Sequence, residues 1–199
     1  MSLREYKKDQ TLDNILMAAE FLLKKEGFQN VSIDSIAKQA LVSRKTIYNY
    51  IKTKEEILIQ IANKRLSVWL TNTKVHPQWK NTPTEKFIYI YRNLAKEFKK
   101  EKRLWQEIVQ ADGINYLRHF SQRPIFRELL KCFTEILLEG QQQGIFSEKY
   151  SAEQIAWNLN TIQMNICKEW TVSWPNSKSL STRLLDSLDL FFIGINKIG

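Results

Sequence analysis

Apolar residues recur along this chain at the spacing of an α-helix. Between Leu12 and Leu23 they stand three and four residues apart, which places them on one face of a helix. Gly27 follows this stripe at a position where a helix would end. Stripes of the same period continue as far as a last predicted helix, from Ser181 to Ile195. No segment alternates convincingly as a strand would, so the pattern predicts an all-α fold of about nine helices.

Polar residues mark where several of these helices begin. Ser32 and Ser43 each precede a short apolar segment and are suited to cap a helix N-terminus. Three later sites have the spacing of a capping box, in which an N-cap hydroxyl is followed three residues on by Glu or Gln; they begin at Thr53, Thr82 and Ser151. The helices before Thr53 are short and those after it are longer. We therefore expect two domains, residues 1–54 and 55–199.

Composition excludes several classes of protein. Of the 199 residues, 43% are hydrophobic, enough to bury a substantial core. The chain has only 6 Gly and 4 Pro, too few for the many turns of an all-β sandwich or barrel. Cys132 and Cys167 can form neither a disulfide framework nor a zinc site alone, which fits a reducing cytosol. No apolar stretch is long enough to span a membrane, so we expect a cytoplasmic protein without a membrane partner. We also expect neither a metal nor a cofactor.

Positive charge is concentrated in one informative segment. The net charge of the chain is +9, and residues 35–54 contain five Lys or Arg and no Asp or Glu. Such a segment either binds the phosphates of a nucleic acid or forms a solvated helix face. Charge alone leaves both interpretations open.

The order of helices around this basic segment favours nucleic acid. Three short helices, the second and third joined by a tight turn, form the layout of a helix-turn-helix unit. The third helix begins after Ser43 and would present Arg44 to guanine or a phosphate and Asn49 to an adenine edge. A flanking phosphate would be clamped by Lys54. The candidate DNA-binding residues are Ser32, Ser43, Arg44, Lys45, Thr46, Tyr48, Asn49, Tyr50 and Lys54.

These residues resemble the DNA-binding domain of the TetR family of bacterial transcriptional regulators. The resemblance covers Thr11 to Leu58, and Gly140 to Phe146 resembles a common helix end in the family's second domain. It implies a homodimer that binds a palindromic operator in double-stranded DNA, usually as a repressor. It also implies a larger C-terminal helical domain for dimerisation and for a small-molecule effector. The most telling segments are Ile36-Ala37, Val42-Ser43, Thr46-Ile47-Tyr48 and Lys54-Glu55-Glu56.

Two positions depart from the family pattern. Leu41 stands in the turn where the family usually has Gly, which accepts a positive φ without strain. Lys45 stands where the family often has a small residue, and it adds charge and reach at the groove. The operator sequence therefore does not carry over from relatives.

The dimer surface implied by the resemblance lies on the last two helices, which form a four-helix bundle across a twofold axis in that family. Apolar stripes on both helices suit this role, although the same stripes would also serve as the core of a monomer. The candidate interface residues are Ile155, Ile162, Leu184, Leu188, Phe191 and Phe192.

The effector site implied by the family would lie in the C-terminal domain, where aromatic residues are dense and a few polar residues interrupt apolar helices. Each polar residue has an alternative role as an exposed or internally satisfied group. The aromatic residues favour an apolar or flat ligand, whereas Arg92 and Lys96 leave an anionic one open. The candidate ligand-binding residues are Tyr91, Trp105, Asp112, Tyr116, Phe133, Asn160, Gln163 and Met164.

Other functional classes fit less well. The chain has no phosphate-binding glycine loop, no His-Glu-x-x-His and no Gly-x-Ser-x-Gly motif, and its two histidines are isolated, so we do not expect an enzyme. A DNA-binding protein without an inducer, acting architecturally or as an activator, is the main alternative. A ligand-binding protein that has lost DNA binding would not need the intact segment Ser43–Lys54.

Overall fold

A computed structural model of the chain describes residues 2–112, 122–172 and 178–195. Within these residues the protein forms nine α-helices, two short 3-10 helices and no strand, so the predicted fold class is confirmed. The α-helices are α1 (Leu3–Glu26), α2 (Ile33–Gln39), α3 (Arg44–Tyr48), α4 (Lys54–Val75), α5 (Pro83–Lys100), α6 (Lys102–Asp112), α7 (Pro124–Gln142), α8 (Ala152–Val172) and α9 (Leu180–Ile195).

Helix α1 begins nine residues before the apolar stripe that predicted it. Ser2 and Glu5 form a capping box, in which the Ser2 N–H donates to the Glu5 carboxylate at 2.6 Å and the Glu5 N–H donates to the Ser2 hydroxyl at 3.2 Å. Hydrogen bonding of the Glu5 carboxylate to the Ser2 N–H, and then to the Ser2 hydroxyl, lowers the pKa of Glu5 below its ordinary value. The added turns are exposed and carry no apolar stripe, so periodicity could not reveal them.

The predicted helix starts agree with the structure, one of them in a modified form. Ser32 and Thr82 are the N-caps of capping boxes, and Ser43 caps α3. At α4 the Glu56 N–H donates to the Thr53 hydroxyl at 3.1 Å, as predicted. The Glu56 carboxylate, however, accepts from the Lys52 N–H at 2.8 Å and not from Thr53.

The described residues divide into two compact units, and the division differs from the predicted boundary at residue 54. One unit contains residues 2–64 and 103–112, and the other contains 65–102, 122–172 and 178–195. In the first unit, Lys64 pairs with Asp13 of α1 at 2.6 Å, which holds the beginning of α4 against that helix. Its core is formed by α1, α2 and α3, and Ile15, Ala19 and Ile47 are fully buried there.

The second unit is a bundle with an aromatic core. Helix α8 packs along α7, and α9 packs against α5 and α8. Phe87 lies at its centre, 5.3 Å from Phe133 and 6.1 Å from Phe192 between ring centroids. Phe146 stacks on Phe192 at 5.7 Å, so the chain that follows α7 is fastened to α9. Each ring pair adds directional attraction to the burial of apolar area.

Two glycines shape the end of α7. Gly144 has a φ of +69°, a left-handed conformation that L-residues with a side chain adopt only under strain. The Phe146 ring lies so close to Gly140 that a Cβ there would overlap it. The N–H groups of Ile145 and Phe146 both donate to the Gly140 carbonyl, at 2.8 and 3.1 Å. The sequence Gly140–Phe146 therefore encodes a tight reversal that buries one aromatic ring.

Candidate nucleic-acid interface and interior polar site

The turn between α2 and α3 contains Leu41, the residue at which the sequence departs from the pattern of the family that it resembles. Leu41 has a φ of +55°, and it is the one non-glycine residue with positive φ in the described chain. The turn is closed by Val42 N–H, which donates to the Ala37 carbonyl at 3.0 Å. Because the Leu41 side chain is 92% exposed, it gains little from packing that would offset the strain.

Helix α3 presents most of its predicted DNA-binding residues to solvent. Its inner side is held by Ile47, which is 0% exposed. On the outer side Arg44 donates to Asp34 and to the Tyr48 hydroxyl, both at 3.4 Å, and its guanidinium lies 5.7 Å from the Tyr48 ring centroid. The hydrogen bond with Tyr48, and then the Asp34 carboxylate, raise the pKa of Arg44 above its ordinary value. Of the other candidates, Thr46, Tyr50 and Lys54 are half-buried, and those that are exposed are Ser32, Ser43, Lys45 and Asn49.

The first turn of α3 is closed by two hydroxyl groups. The Thr46 N–H donates to the Ser43 hydroxyl at 3.0 Å, and the two hydroxyl oxygens are 2.8 Å apart. In either direction of that second bond, one of the two hydroxyl protons is left over. This proton is suited to a phosphate oxygen at the helix start.

Lys54 does not occupy the free position that the sequence predicted. Its ammonium lies 4.3 Å from the Phe28 ring centroid and 3.5 Å from the Gln29 carbonyl oxygen. Both partners belong to the turn after α1, so Lys54 joins the start of α4 to that turn. A phosphate would have to compete with these contacts for the same charge.

Helix α6 holds the same turn through residues that sequence analysis missed. The Phe28 N–H donates to the Glu107 carboxylate at 3.2 Å, and Glu107 also lies 3.8 Å from Arg103. Gly27 suits this turn because its φ is +78°, which residues with a side chain adopt only under strain. Partners separated by 79 residues leave no local signal in the sequence.

Most predicted ligand-binding residues are interior, and some have unpaired polar atoms. Phe133, Asn160 and Gln163 are 0% exposed. The Asn160 side-chain N–H donates to the Phe126 carbonyl at 3.1 Å, but its oxygen has no partner among the described residues. Both polar atoms of the Gln163 side chain also lack one there. Tyr91 and Met164 are buried in the same unit, whereas Trp105 is buried in the first unit.

Four predicted positions, and one residue that was not predicted, need separate statements. Tyr116 lies outside the described residues, and the side chain of Asp112, the last residue of α6, is likewise not described. Arg92 and Lys96, which had left an anionic ligand open, are both exposed on α5. Trp69 was not singled out from the sequence, but its indole N–H is buried and lacks a partner within the described chain.

The six predicted dimer-interface residues divide into a buried group and an accessible group. Four of the six residues are at most 7% exposed and belong to the core of the single chain: Ile155, Leu184, Leu188 and Phe192. Leu184, Leu188 and Phe192 are buried because α9 turns its apolar stripe inwards, against α5 and α8. The opposite face carries Leu190 and Ile193, which are 72% and 70% exposed, and Ile162 on α8 is 38% exposed.

An open groove of about 290 Å³ lies between α8 and α9 on this exposed side. Phe191, half-buried, is the other predicted dimer residue that remains accessible, and it lines the groove with Leu190 and Gly194 of α9. From the α8 side the groove is lined by Gln154 and Asn158, and from the preceding loop by Tyr150.

Comparison with known proteins shows what kind of domain the first unit contains. Residues 15–61 match the sequence model of the bacterial regulatory proteins of the tetR family, a range that covers all of α2 and α3. This segment is a DNA-binding domain of the tetR type. The chain is a DNA-binding transcriptional regulator and not an enzyme.

Two solved structures extend the similarity over most of the chain. The structure resembles the repressor FadR of Thermus thermophilus in complex with lauroyl-CoA, with a TM-score of 0.77 and 25% identity over 94% of this chain and 96% of that one. It also resembles RolR in complex with resorcinol, with a TM-score of 0.72 and 18% identity over 97% and 91% of the two chains. An HTH-type transcriptional regulator of Haemophilus influenzae is 26% identical over 71% of this chain and 73% of its own length.

The described residues contain neither a metal-binding cluster nor a membrane-spanning helix. Among the described residues, no three His, Cys, Asp or Glu side chains are grouped so that they would hold a metal ion. No described helix combines the length and the apolar character that a membrane span requires.

Proposed function

We propose that this regulator is a homodimeric repressor that binds a palindromic operator and is released from it by a small molecule bound in the second unit. The observation that carries the proposal is the surface of α2 and α3. There Lys38, Arg44 and Lys45 are exposed on a segment without a carboxylate from Ser35 to Lys54. A helix held by buried Ile47 presents these charges, as a DNA-reading helix must.

The residues on this surface have different roles in the proposal. Arg44 and Asn49 read base edges, because a guanidinium suits guanine and an amide suits adenine. The hydroxyls of Ser43, Thr46 and Tyr48, with Lys45, contact the phosphate backbone and set the register. Asp34 orients Arg44 in the free protein and is displaced towards solvent when the guanidinium reaches DNA.

The homodimer in this proposal uses the exposed side of α8 and α9. Ile162, Leu190, Phe191 and Ile193 provide the apolar centre, and the groove between the helices receives side chains of the second subunit. A twofold dimer presents two copies of α3 to half-sites about 34–36 Å apart, which gives the affinity that one unit lacks. The corresponding cell location is the cytoplasm, where the DNA is.

Effector binding is supported by the relatives and by the interior of the second unit. The FadR structure contains lauroyl-CoA and the RolR structure contains resorcinol, so related folds accept small molecules. In this chain Asn160 and Gln163 are buried polar groups with unpaired atoms. We propose α4 and α6 as transmitters, because both contact the turn at Phe28 through Lys54 and Glu107. A ligand that favours another position of these helices would reduce operator affinity by its differential binding energy.

Selection of bound sequences from random duplex DNA at physiological salt tests the proposal. We expect a palindrome with two half-sites. Sedimentation of the complex should show two protein subunits bound to this DNA. Lys131 of α7 is a control residue, because its side chain is 78% exposed and it lies outside the proposed DNA-binding surface. The same selection with the Lys131→Ala variant should return the same palindrome. Recovery of sequence-independent binding alone would refute an operator-specific repressor and favour an architectural role.

A further inference from the structure

Two neighbouring amide side chains in the second unit are buried without complete hydrogen bonding. Asn160 and Gln163 are 0% exposed and lie one turn apart on the same inner face of α8. Within the described chain, the Asn160 oxygen and both polar atoms of Gln163 have no partner. Together they offer two acceptors and one amide donor group to the interior.

A third buried amide shows how this fold treats a glutamine that has only a structural role. Gln141 is 9% exposed, and its side-chain N–H groups donate to the carbonyls of Ser147 and Tyr150, both at 2.9 Å. Buried polar groups are normally paired in this way, so the unpaired atoms of Asn160 and Gln163 call for a partner that the described residues do not supply.

The surroundings of these amides are unfavourable to a charged ligand. Cys167 lies one turn further along the same face of α8, and burial raises the pKa of its thiol and that of the Tyr91 hydroxyl well above their ordinary values. Such burial also penalises an anion, unless an unpaired cation is near.

The most buried cations of the second unit are already engaged. Lys86, Arg65 and Arg183, whose side chains are 9%, 16% and 23% exposed, pair with Glu139, Glu97 and Glu169. Arg92 and Lys96 of α5 point to solvent. Among the described residues, the paired cations would have to lose a carboxylate before they could neutralise an anionic ligand.

We propose that Gln163 and Asn160 bind an uncharged ligand that carries both a hydrogen-bond donor and an acceptor, of the amide type, on an apolar body. The Gln163 amide accepts one hydrogen bond from the polar group of the ligand and donates another to it. The Asn160 oxygen accepts a further hydrogen bond from the same group. The apolar part of the ligand packs among the aromatic side chains of the unit. This inference rests on the proposed effector role of the second unit and assigns the chemical class of the effector.

Three matched probes of similar size test the ligand class on the full-length protein: benzamide, benzoate and toluene. Their dissociation constants are measured by protein-observed NMR for the wild type, Gln163→Leu and Gln141→Leu. We expect the wild type to bind benzamide about tenfold more tightly than the other two, the preference given by one or two net hydrogen bonds. Gln163→Leu should lose this preference and bind toluene more tightly, whereas Gln141→Leu should keep the wild-type order. Gln163→Met, which also removes both polar atoms, should behave as Gln163→Leu does and so guards against a folding artefact.

Other outcomes overturn the inference. Benzoate binding as tight as that of benzamide would show that an anion is accepted. Benzamide binding that survives Gln163→Leu would place the binding site elsewhere. If benzamide does not bind and an ordered water molecule joins the two amides, the partner of the amides is water and the inference is wrong. Operator affinity is measured in parallel. If benzamide binds but leaves that affinity unchanged, the effector role fails while the site and its ligand class stand; if the operator is not bound at all, the proposed function fails independently of the probes.

Discussion

The buried glutamines of the second unit allow a stability prediction with opposite signs at two chemically identical residues. Gln163 is 0% exposed with an unpaired amide, and Gln141 is 9% exposed with two hydrogen bonds to backbone carbonyls. Leu has nearly the volume of Gln, so each substitution mainly removes the polar atoms. The two changes therefore separate hydrogen bonding from packing.

The magnitudes follow from the bonding of each amide. A buried polar group without a partner costs about 1–3 kcal/mol, so in the absence of ligand Gln163→Leu should raise the free energy of unfolding by about 1–2 kcal/mol. Gln141→Leu removes two hydrogen bonds and leaves two carbonyls unpaired, which should lower it by about 2–3 kcal/mol. The two variants should therefore differ by about 4 kcal/mol.

Urea unfolding followed by circular dichroism measures both variants against the wild type, and an unchanged dependence on urea concentration shows that the same surface is exposed. The reasoning is refuted if Gln163→Leu destabilises the protein as Gln141→Leu does. That result would mean that the Gln163 amide already has a partner, and it would also remove the basis of the proposed ligand class.

Three further predictions concern the backbone and the thiols. Leu41→Gly should stabilise the first unit by about 1 kcal/mol by relieving its positive φ, whereas Leu41→Ala keeps a Cβ and should have no such effect; equal urea midpoints for the two would contradict the strain. Gly140→Ala should lower the free energy of unfolding by about 2 kcal/mol because the added methyl meets the Phe146 ring, and an unchanged melting temperature would show that the ring moves aside freely. Burial raises the pKa of Cys132 to about 12 and that of Cys167 above its ordinary value. The folded protein thus keeps these protons while the unfolded chain loses them above about pH 8.5. Stability should fall between pH 7.5 and 10 by about 2 kcal/mol per thiol, and Cys132→Val with Cys167→Val should reduce that fall in urea titrations at the two pH values.

The parts of the fold that depend on local pattern were predictable from sequence. Ser32, Ser43 and Thr82 cap helices because their hydroxyl groups precede apolar stripes, and both features are readable within a few residues. The strain at Leu41 was also anticipated, since a turn of this geometry favours glycine. The exposed first turns of α1 were missed because they bury nothing and so carry no period.

Features that depend on tertiary partners could not be read from the sequence. An apolar stripe such as Leu184–Phe192 shows that one face is buried, but not whether a neighbouring helix or a second subunit covers it. Lys54 and Glu107 contact the turn at Phe28 through distant parts of the chain. Likewise, the sequence singled out Asn160 and Gln163 as polar residues in an apolar helix, but their missing hydrogen bonds became visible only in the packed structure.

Operator affinity as a function of salt concentration, for the wild type and for Arg44→Ala combined with Lys45→Ala, tests the DNA-binding surface most directly. Each phosphate contact contributes about 0.9 to the slope of log affinity against log salt. We predict that the double variant loses specific binding and that its slope is smaller by about one per subunit, the contribution of the Lys45 phosphate contact, while Lys131→Ala leaves both unchanged. A double variant with wild-type affinity and slope would contradict the assignment of α3 as the DNA-reading helix.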